Sequence, residues 1–228
     1  MGMFLRRGPA PRRMRMSDLE IGQTIKLNLN GTPWEWLVIH QGLPSSIYDA
    51  SCDGTWLLLK DIYENRQWHR SNVNKLESST IHSYLNGDFQ NLFDSNIKGA
   101  IKQVKIPYRK NGGSGGTNQS GANGLLTKSF LLSGKEVGFN ANYLPVDGTK
   151  LSYFENGTST SANNKRIAKR NGSAAIWWLR SPSTDSTSYV WTVSSKGNSS
   201  SSESSASYGV RPAIIFPSDM LVTDDMLA

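Results

Sequence analysis

The stretch from Trp177 to Phe216 constrains the fold of this chain more than any other part of its sequence. Its two ends, IWWLRSP at 176–182 and YGVRPAIIF at 208–216, are apolar, and each carries one arginine beside a proline or a Ser-Pro pair. A third apolar run, YVWTV at 189–193, lies between them and precedes a serine-rich segment. Short apolar runs bounded by Ser, Gly and Pro are typical of strands. The stretch therefore predicts paired strands that close a domain, with Pro212 at an edge or a bulge because proline cannot donate to a strand ladder.

The segments upstream predict further strands and short helices around that closing unit. Residues 24–29 alternate in polarity, Asn30-Gly31 is a strong hairpin signal, and apolar runs follow at 34–40 and 55–60. Capping residues at 78–80 and at Asp94-Ser95 predict helix starts, and Asn86-Gly87 predicts a break. Abundant Gly and Ser with 19% charged residues favour an α+β protein over a helical bundle. The predicted domain has short antiparallel strands, two or three short helices and long loops.

The positive charge of the chain is concentrated at its N-terminus. Residues 1–16 contain five arginines and no acid, so they carry +5 of the net +7, and the remainder is close to neutral. We interpret this segment as an extended arm that orders against identical subunits, other proteins of an assembly or an acidic surface, or else remains a disordered tail. Nucleic acid is a less favoured partner, because no aromatic residues are interleaved with the arginines. The boundaries predicted are 1–16 for the arm, 17–216 for the domain and 217–228 for a C-terminal tail. The partner-binding arginines of the arm are Arg6, Arg7, Arg12, Arg13 and Arg15.

Motifs for catalysis, metals and cofactors are missing from the sequence. The single cysteine, Cys52, excludes an internal disulfide, and the three histidines fall in separate predicted elements without zinc-ligand spacing. Ser181 lies in Arg-Ser-Pro rather than in a Gly-x-Ser-x-Gly turn. No apolar run reaches the roughly 18 residues of a membrane span, and the N-terminus lacks the apolar core of a secretory signal. We predict a protein that is not an enzyme, needs no cofactor or metal and is made in a cytoplasm.

An ordered set of motifs resembles a family of uncharacterised domains that is common in gut bacteria, their phages and prophages. The motifs are Trp68-x-x-Ser71, IHSYLN at 81–86 with Phe89 and Phe93, FLLSxxE at 130–136, WLRSP at 178–182 and GVRPA at 209–213. The resemblance runs from about Gly22 to Phe216, and the basic arm with IPYR at 106–109 resembles a phage-encoded branch. The family is similar to the C-type-lectin-like fold, in the group that includes formylglycine-generating enzymes and phage receptor-binding domains. This chain lacks the late cysteines of the oxidases and the calcium motifs of sugar-binding lectins, so the resemblance implies binding without copper or calcium chemistry.

Three functions follow as expectations. The first is a non-enzymatic structural or surface protein of a phage virion, made in the host cytoplasm, such as a decoration, fibre or tail-associated protein anchored through its arm. The second is a carbohydrate- or receptor-binding adhesion module, with the serine-rich segment 194–207, Tyr189, Trp191 and Tyr208 as contacts to a host-surface glycan or protein. The third and least favoured is an enzyme of the formylglycine-generating-like group. The alternative for segment 194–207 is a solvated hairpin. We interpret Trp178, Arg180 and Arg211 as a structural signature.

Overall fold

Short strands, most of them antiparallel, make up two five-stranded sheets and three small two-stranded ones. The computed structural model describes residues 14–227. The strands are β1 Thr24–Leu29, β2 Thr32–Gln41, β3 Thr55–Leu59, β4 Glu64–Gln67, β5 Val104–Ile106, β6 Tyr108–Lys110, β7 Thr117–Gln119, β8 Leu125–Thr127, β9 Ser129–Phe130, β10 Ala168–Arg170, β11 Ser173–Ala175, β12 Trp177–Pro182, β13 Tyr189–Val193, β14 Ser199–Glu203, β15 Ser207–Val210 and β16 Ala213–Phe216. The α-helices are α1 Thr80–Asn86, α2 Ser95–Ala100, α3 Thr160–Arg166 and α4 Asp224–Leu227. Single 3-10 turns lie at Met16–Asp18, Ala50–Cys52, Leu76–Ser78, Phe89–Leu92 and Gly121–Asn123. The predicted α+β class is confirmed, with one short helix more than expected.

The first sheet has the strand order β1-β2-β3-β16-β9 and is antiparallel throughout. Its hairpin turns at Asn30 and Gly31, whose φ angles of 52° and 75° both lie in the left-handed region. Two successive positive φ angles define the turn that matches the twist of hairpin strands, which is why Asn-Gly predicts this position. The predicted hairpin is therefore present, and all five residues of β3 are buried in the centre of the sheet.

The second sheet has the order β14-β13-β12-β15-β4, and only the β12–β15 pair is parallel. The serine-rich segment has no apolar run to predict a strand, yet it forms a hairpin in which β14 pairs with β13 along its whole length, from Val193↔Ser199 to Tyr189↔Glu203. The chain turns at Gly197, where φ is 80°. Serines are tolerated in this edge strand because most of β14 is exposed. Its backbone hydrogen bonds to β13 hold it in the sheet, so it does not require apolar side chains. The segment is therefore a mostly exposed hairpin.

Residues 209–216 do not form the single closing strand that the sequence predicts. β15 ends at Val210 in the second sheet, and β16 begins at Ala213 in the first. Arg211 and Pro212 carry the chain from one sheet to the other, and the backbone N–H of Leu59 donates to the Pro212 carbonyl at 2.9 Å. Pro212 therefore marks the crossing between two sheets rather than an edge or a bulge within one.

Two apolar clusters lie on opposite faces of the second sheet. Side chains of consecutive strand residues point to opposite faces, so the neighbours Trp177 and Trp178 belong to different clusters. Trp178 belongs to the cluster that contains Trp36, Trp68 and Phe89, whereas Trp177 belongs to the cluster that contains Trp56 and Phe154. The closing stretch thus contributes to both cores.

Helix α1 is attached to the segment that follows β8. The Ser79 hydroxyl caps its N-terminus by accepting from the backbone N–H of His82 at 3.1 Å. At its other end, the Asn86 side chain accepts from the backbone N–H of Lys128 at 2.7 Å and donates to the Ser129 carbonyl at 3.2 Å. The end of α1 is therefore fixed relative to residues 127–129.

The two ends of the described chain run side by side. The backbone N–H of Met16 donates to the Met220 carbonyl at 2.8 Å, and that of Val222 donates to the Met14 carbonyl at 2.9 Å. Met16 is fully buried, and the segment predicted as a C-terminal tail contacts the body through Met226, which is 5% exposed. Arg15 is exposed, and its backbone N–H donates to the Asp18 carboxylate. The other predicted arm residues lie outside the described residues; they are Arg6, Arg7, Arg12 and Arg13.

Candidate functional site

A polar and aromatic groove of about 370 Å³ lies beside β13. Tyr189 and Trp191 reach it together because they are two residues apart on one strand and so share a face. Ser201 of β14 is the cross-strand partner of Trp191, which brings its hydroxyl to the same face. The remaining lining residues come from two loops. We call this the aromatic groove, and its lining is Tyr143, Ser183, Asp185, Ser186, Tyr189, Trp191 and Ser201.

Tyr143 projects from a loop that is pinned to the groove by its backbone. Its carbonyl accepts from the backbone N–H of Thr184 at 2.8 Å and from the Trp191 indole N–H at 3.3 Å. The residue has a φ of 63°, in the left-handed region that disfavours a tyrosine, and its side chain is 58% exposed. Strained, exposed aromatic residues are costly for stability, and such strain concentrates at functional sites.

The loop 183–186 forms the other wall, and a glycine supports it from behind. Ser183 donates its hydroxyl to Asp185 at 2.6 Å, and the Asn74 amide donates to the Ser186 carbonyl at 3.0 Å. A Cβ added at Gly113 would lie 1.8 Å from the Ser183 carbonyl oxygen, so only glycine permits this close approach. The loop is therefore held in place by packing and hydrogen bonds before any ligand arrives.

The chemistry of the aromatic groove combines flat apolar rings with hydrogen-bonding groups. Three rings and three serine hydroxyls line it, and its one charged group is the exposed Asp185 carboxylate. None of the lining residues is cationic. Such a surface suits ligands that have apolar faces and hydroxyl donors, and it does not suit anions.

The structure does not bring Tyr208 to the aromatic groove. Tyr208 lies on β15, half-buried, with its ring in edge contact with Trp178 at a centroid distance of 5.1 Å. Trp178 is on the face of the second sheet opposite to Trp191. Of the three contact residues predicted from the sequence, Tyr189 and Trp191 share a site and Tyr208 packs elsewhere. Tyr143 and Asp185 were missed, because nothing in their local sequence indicates that they meet β13.

Arg180 is the centre of a buried polar network. Its guanidinium forms a two-pronged pair with Glu136, at 2.5 Å and 2.7 Å, and both side chains are inaccessible to solvent. It also donates to three carbonyl oxygens, those of Pro107, Leu131 and Asp147. The Tyr48 hydroxyl donates to Glu136 at 2.7 Å, and burial raises the pKa of this tyrosine. Arg180 thus joins β12 to three other parts of the chain, at Pro107, at residues 131–136 and at Asp147.

Asp147 completes this network and has one unpartnered atom. Its Oδ2 accepts from the Ser181 hydroxyl at 2.8 Å, whereas its buried Oδ1 has no hydrogen-bond partner among the described residues. Burial raises the pKa of Asp147 to about 6, although Arg180 opposes that change. The carboxyl group is therefore partly protonated in weak acid.

Replacing Asp147 with asparagine is expected to flatten the dependence of stability on pH. A carboxyl whose pKa is raised in the folded state stabilises fully below its unfolded pKa, and this contribution is lost as pH rises through about 6. The difference between natural chain and variant in the free energy of unfolding should change by about 3 kcal/mol between pH 3.5 and 7.5. Urea denaturation at a series of pH values measures it. If the free energies of unfolding of the two proteins changed with pH in parallel, the pKa of Asp147 would not be raised in the folded state.

Arg211 and Arg166 are also buried, but they bond to backbone rather than to carboxylates. Arg211 donates to the carbonyls of Leu59 and Lys60 at 2.9 Å and lies 4.8 Å from the centre of the Trp177 ring. Burial lowers the pKa of Arg211. Arg166 is fully buried and donates to the carbonyls of Val137, Glu155, Gly157 and Gly197. In the sequence Arg166 stands in a basic cluster with Lys165, Lys169 and Arg170, a pattern that predicts a solvated face. That prediction is wrong for Arg166, because the chain wraps around it.

Metal-ligating side chains do not converge within the described part of the chain. Between residues 14 and 227, no group of three His, Cys, Asp or Glu side chains is arranged to hold a metal ion. His40 bonds to the Ser152 hydroxyl at 2.7 Å, and burial lowers its pKa. Burial raises the pKa of the Cys52 thiol to about 12, which makes the thiolate scarce at neutral pH.

The two five-stranded sheets and the short helices define an α+β domain that carries a polar and aromatic groove on its surface. The chain belongs to the family described as a domain of unknown function, DUF6273, whose model matches residues 53–218. No curated protein and no solved structure matches the chain significantly. The matched range contains the aromatic groove and the whole second sheet, whereas the β1–β2 hairpin lies outside it and completes the first sheet. Across residues 14–227, no helix has the length and apolarity that crossing a bilayer requires.

Proposed function

We propose that this protein is a non-enzymatic binding module that recognises carbohydrate in the aromatic groove. The observation that carries the proposal is the juxtaposition of three rings, those of Tyr143 and Tyr189 exposed and that of Trp191 half-buried, with serine hydroxyls and the Asp185 carboxylate. Tyrosine and tryptophan supply rigid contact area at low entropic cost, and serines supply adaptable hydrogen bonds. The apolar face of a pyranose stacks on such rings while its hydroxyls donate to the carboxylate.

The charge of the groove narrows the ligand to a neutral or amine-bearing saccharide. Asp185 is the single charged side chain in the lining, and an acidic sugar would bring a second negative charge beside it. The hydroxyls of Ser183, Ser186 and Ser201 have no histidine or lysine beside them in the lining that could act as a base. The site is accordingly suited to holding a ligand rather than to transforming it.

The strand arrangement agrees with a C-type-lectin-like domain, which is the fold that we propose for the family. In that fold an early hairpin and the final strand lie close together. Here β1 and β2 form the early hairpin, and β16 is separated from β2 by β3 alone in the first sheet. The loops of the aromatic groove, at 140–146 and 183–186, are irregular segments supported by the second sheet. In many binding domains the ligand-contacting residues lie on loops that a rigid sheet holds in position.

We further propose that the protein is displayed on a phage particle and anchored through its N-terminal segment. This proposal rests on the motif resemblance and on the five arginines at residues 1–16, which precede a body with a net charge close to neutral. The described end of that segment is held against residues 220–222. Mass spectrometry of purified particles from the encoding phage or prophage checks the location. Particles without the protein would contradict it and would leave the sugar-binding proposal standing.

Replacing Trp191 with alanine is expected to abolish most of the sugar binding. The full-length chain should bind neutral glycans on an array, and titration calorimetry with the best-bound glycan should show a loss of about tenfold or more, as stacking on a tryptophan supports. Trp34→Ala is the matched control, because Trp34 is also half-exposed but packs on Tyr63, at a centroid distance of 5.2 Å. An array without any bound glycan, or equal affinities for the two variants, would refute the proposal.

Tyr143→Gly separates binding from stability in the same assay. The left-handed φ of Tyr143 costs a tyrosine about 1–2 kcal/mol, which glycine avoids at the expense of some chain entropy. The variant should keep its free energy of unfolding within about 1 kcal/mol and still lose glycan affinity. If Tyr143→Gly kept its affinity for the glycan, Tyr143 would not contribute to binding.

A further inference from the structure

A second groove, of about 400 Å³, lies where α1 ends and differs from the aromatic groove in its chemistry. We call it the amide groove, because carboxamide side chains dominate its lining together with two lysines. It contains Asn86, Gln90, Asn91, Lys98, Gln103 and Lys128, and no acidic residue lines it. Amide groups donate and accept at once, so they match the hydroxyls of sugars.

Gln90 presents an unused hydrogen-bond acceptor at this groove. Its side chain is 3% exposed, and its amide nitrogen donates to the Ser129 hydroxyl. Its Oε1 is buried and has no hydrogen-bond partner among the described residues. Burying a carbonyl without a donor costs about 1–3 kcal/mol, and a hydroxyl donor from a bound ligand would satisfy it.

Lys98 and Lys128 give the amide groove its positive charge. The Lys98 ammonium donates to the Asn91 side chain at 2.7 Å, and the Lys128 ammonium donates to the Lys98 carbonyl at 3.2 Å. Both partners are neutral, so neither lysine is neutralised by a carboxylate here. Two adjacent cations without an acid favour an anionic ligand.

A third groove, of about 350 Å³, continues the amide groove along α1. Gly87 lines both, so they meet at the end of this helix. The third groove contains Arg66 and Arg70. Arg66 pairs with Glu64 at 2.7 Å, whereas the Arg70 guanidinium makes no ion pair or hydrogen bond with the described residues. Asp88 is the one acid in its lining. Because Glu64 pairs with Arg66, the joined surface presents three cations without an ion pair to the described residues, Arg70, Lys98 and Lys128, against this one acid.

We propose that these two grooves form one extended site for an acidic polysaccharide, a polymer of sugar carboxylates. The carboxylates pair with Lys98, Lys128 and Arg70, and the ring hydroxyls bond to the amide side chains and to Gln90 Oε1. A polysaccharide fits better than a single-stranded nucleic acid, because base binding relies on open aromatic rings. The one aromatic side chain in the linings is Tyr84, and the Arg66 guanidinium covers its ring at 3.6 Å. This site shares no residue with the aromatic groove.

The test uses the full-length chain with polygalacturonate, and with neutral dextran as the comparison. Biolayer interferometry should show salt-sensitive binding to the polyuronate and none to dextran. Lys98→Gln with Lys128→Gln should weaken the binding about tenfold or more, as the loss of charge-assisted bonds predicts. Arg70→Gln should weaken it further. The matched control is Lys135→Gln with Lys196→Gln, because Lys135 also donates to an asparagine side chain, at 3.0 Å, but outside both grooves.

The basic N-terminal segment provides the main alternative source of polyanion binding, and a separate variant removes it. Changing Arg6, Arg7, Arg12 and Arg13 to glutamine in the full chain should leave the polyuronate affinity within about twofold if the grooves carry the site. Loss of binding in that variant, equal affinities for both lysine pairs, or tighter binding of a single-stranded oligonucleotide than of polyuronate would each overturn the proposal. Trp191→Ala should leave polyuronate binding unchanged, so failure here is distinguishable from failure of the sugar-binding proposal.

Discussion

An Arg180→Met variant is expected to have a free energy of unfolding about 3–5 kcal/mol lower than the natural chain, because it removes one partner of a fully buried ion pair. Glu136 would then remain buried with a negative charge, and three carbonyl oxygens would lose their donor. Methionine matches the length of the arginine stem, so the loss reports on charge and hydrogen bonding more than on volume. Urea denaturation at pH 7 measures the change.

The partner substitution distinguishes the ion pair from packing. Adding Glu136→Gln to Arg180→Met removes the stranded charge, and the double variant should recover at least about 1 kcal/mol relative to Arg180→Met alone. Lys135→Met, at the neighbouring half-exposed residue, is the control and should stay within about 0.5 kcal/mol. A loss below 1 kcal/mol for Arg180→Met would show that water or a rearranged loop replaces the guanidinium.

An Arg211→Met variant is expected to be the second most destabilised, by about 3 kcal/mol or more, since each buried carbonyl without a donor costs about 1–3 kcal/mol. Arg211 donates to the carbonyls of Leu59, Lys60 and Arg166. These acceptors belong to two segments of the chain that meet where it crosses between the sheets. Arg211→Lys keeps the charge but loses the planar guanidinium. Its free energy of unfolding should therefore lie between those of the natural chain and Arg211→Met. Thermal and urea denaturation measure the order of stability of the natural chain, Arg211→Lys and Arg211→Met.

Binding by the aromatic groove should survive the Arg211 substitutions at temperatures where the variants are folded. Arg211 packs on Trp177 and is not part of the groove lining. We therefore expect Arg211→Lys to bind the glycan with the affinity of the natural chain when binding is measured well below its unfolding temperature. A variant with normal stability and lost binding would show that this arginine acts in recognition and not in the scaffold.

Local signals in the sequence predicted the elements that depend on neighbouring residues. Asn30-Gly31 fixes its own turn through the φ angles that both residues tolerate, and Ser79 caps α1 through an atom three residues away. The same kind of reasoning failed at β14, because serine has a weak intrinsic preference for strands and pairs here with an apolar partner strand. Tertiary pairing overrode local propensity at this edge.

Long-range contacts account for what the sequence could not supply at the site. Tyr143 meets Trp191 through a backbone carbonyl 48 positions away, and its exposed ring has no pattern around it that marks a groove. Arg166 resembles its half-exposed neighbour Lys165 and its exposed neighbour Lys169 in sequence, yet it donates to four backbone carbonyls that lie between 9 and 31 positions away. Charge alone cannot reveal burial when the partners are backbone atoms.

The position of β16 also sets the order in which the protein can assemble during synthesis. β16 pairs with β3 in the interior of the first sheet, but about 150 residues separate Leu59 from Ala213. At a translation rate of about 5–20 residues per second, the buried edge of β3 waits roughly 8–30 s for its partner. Over that interval the nascent chain carries an apolar, unpaired strand edge, which is the kind of surface that chaperones protect.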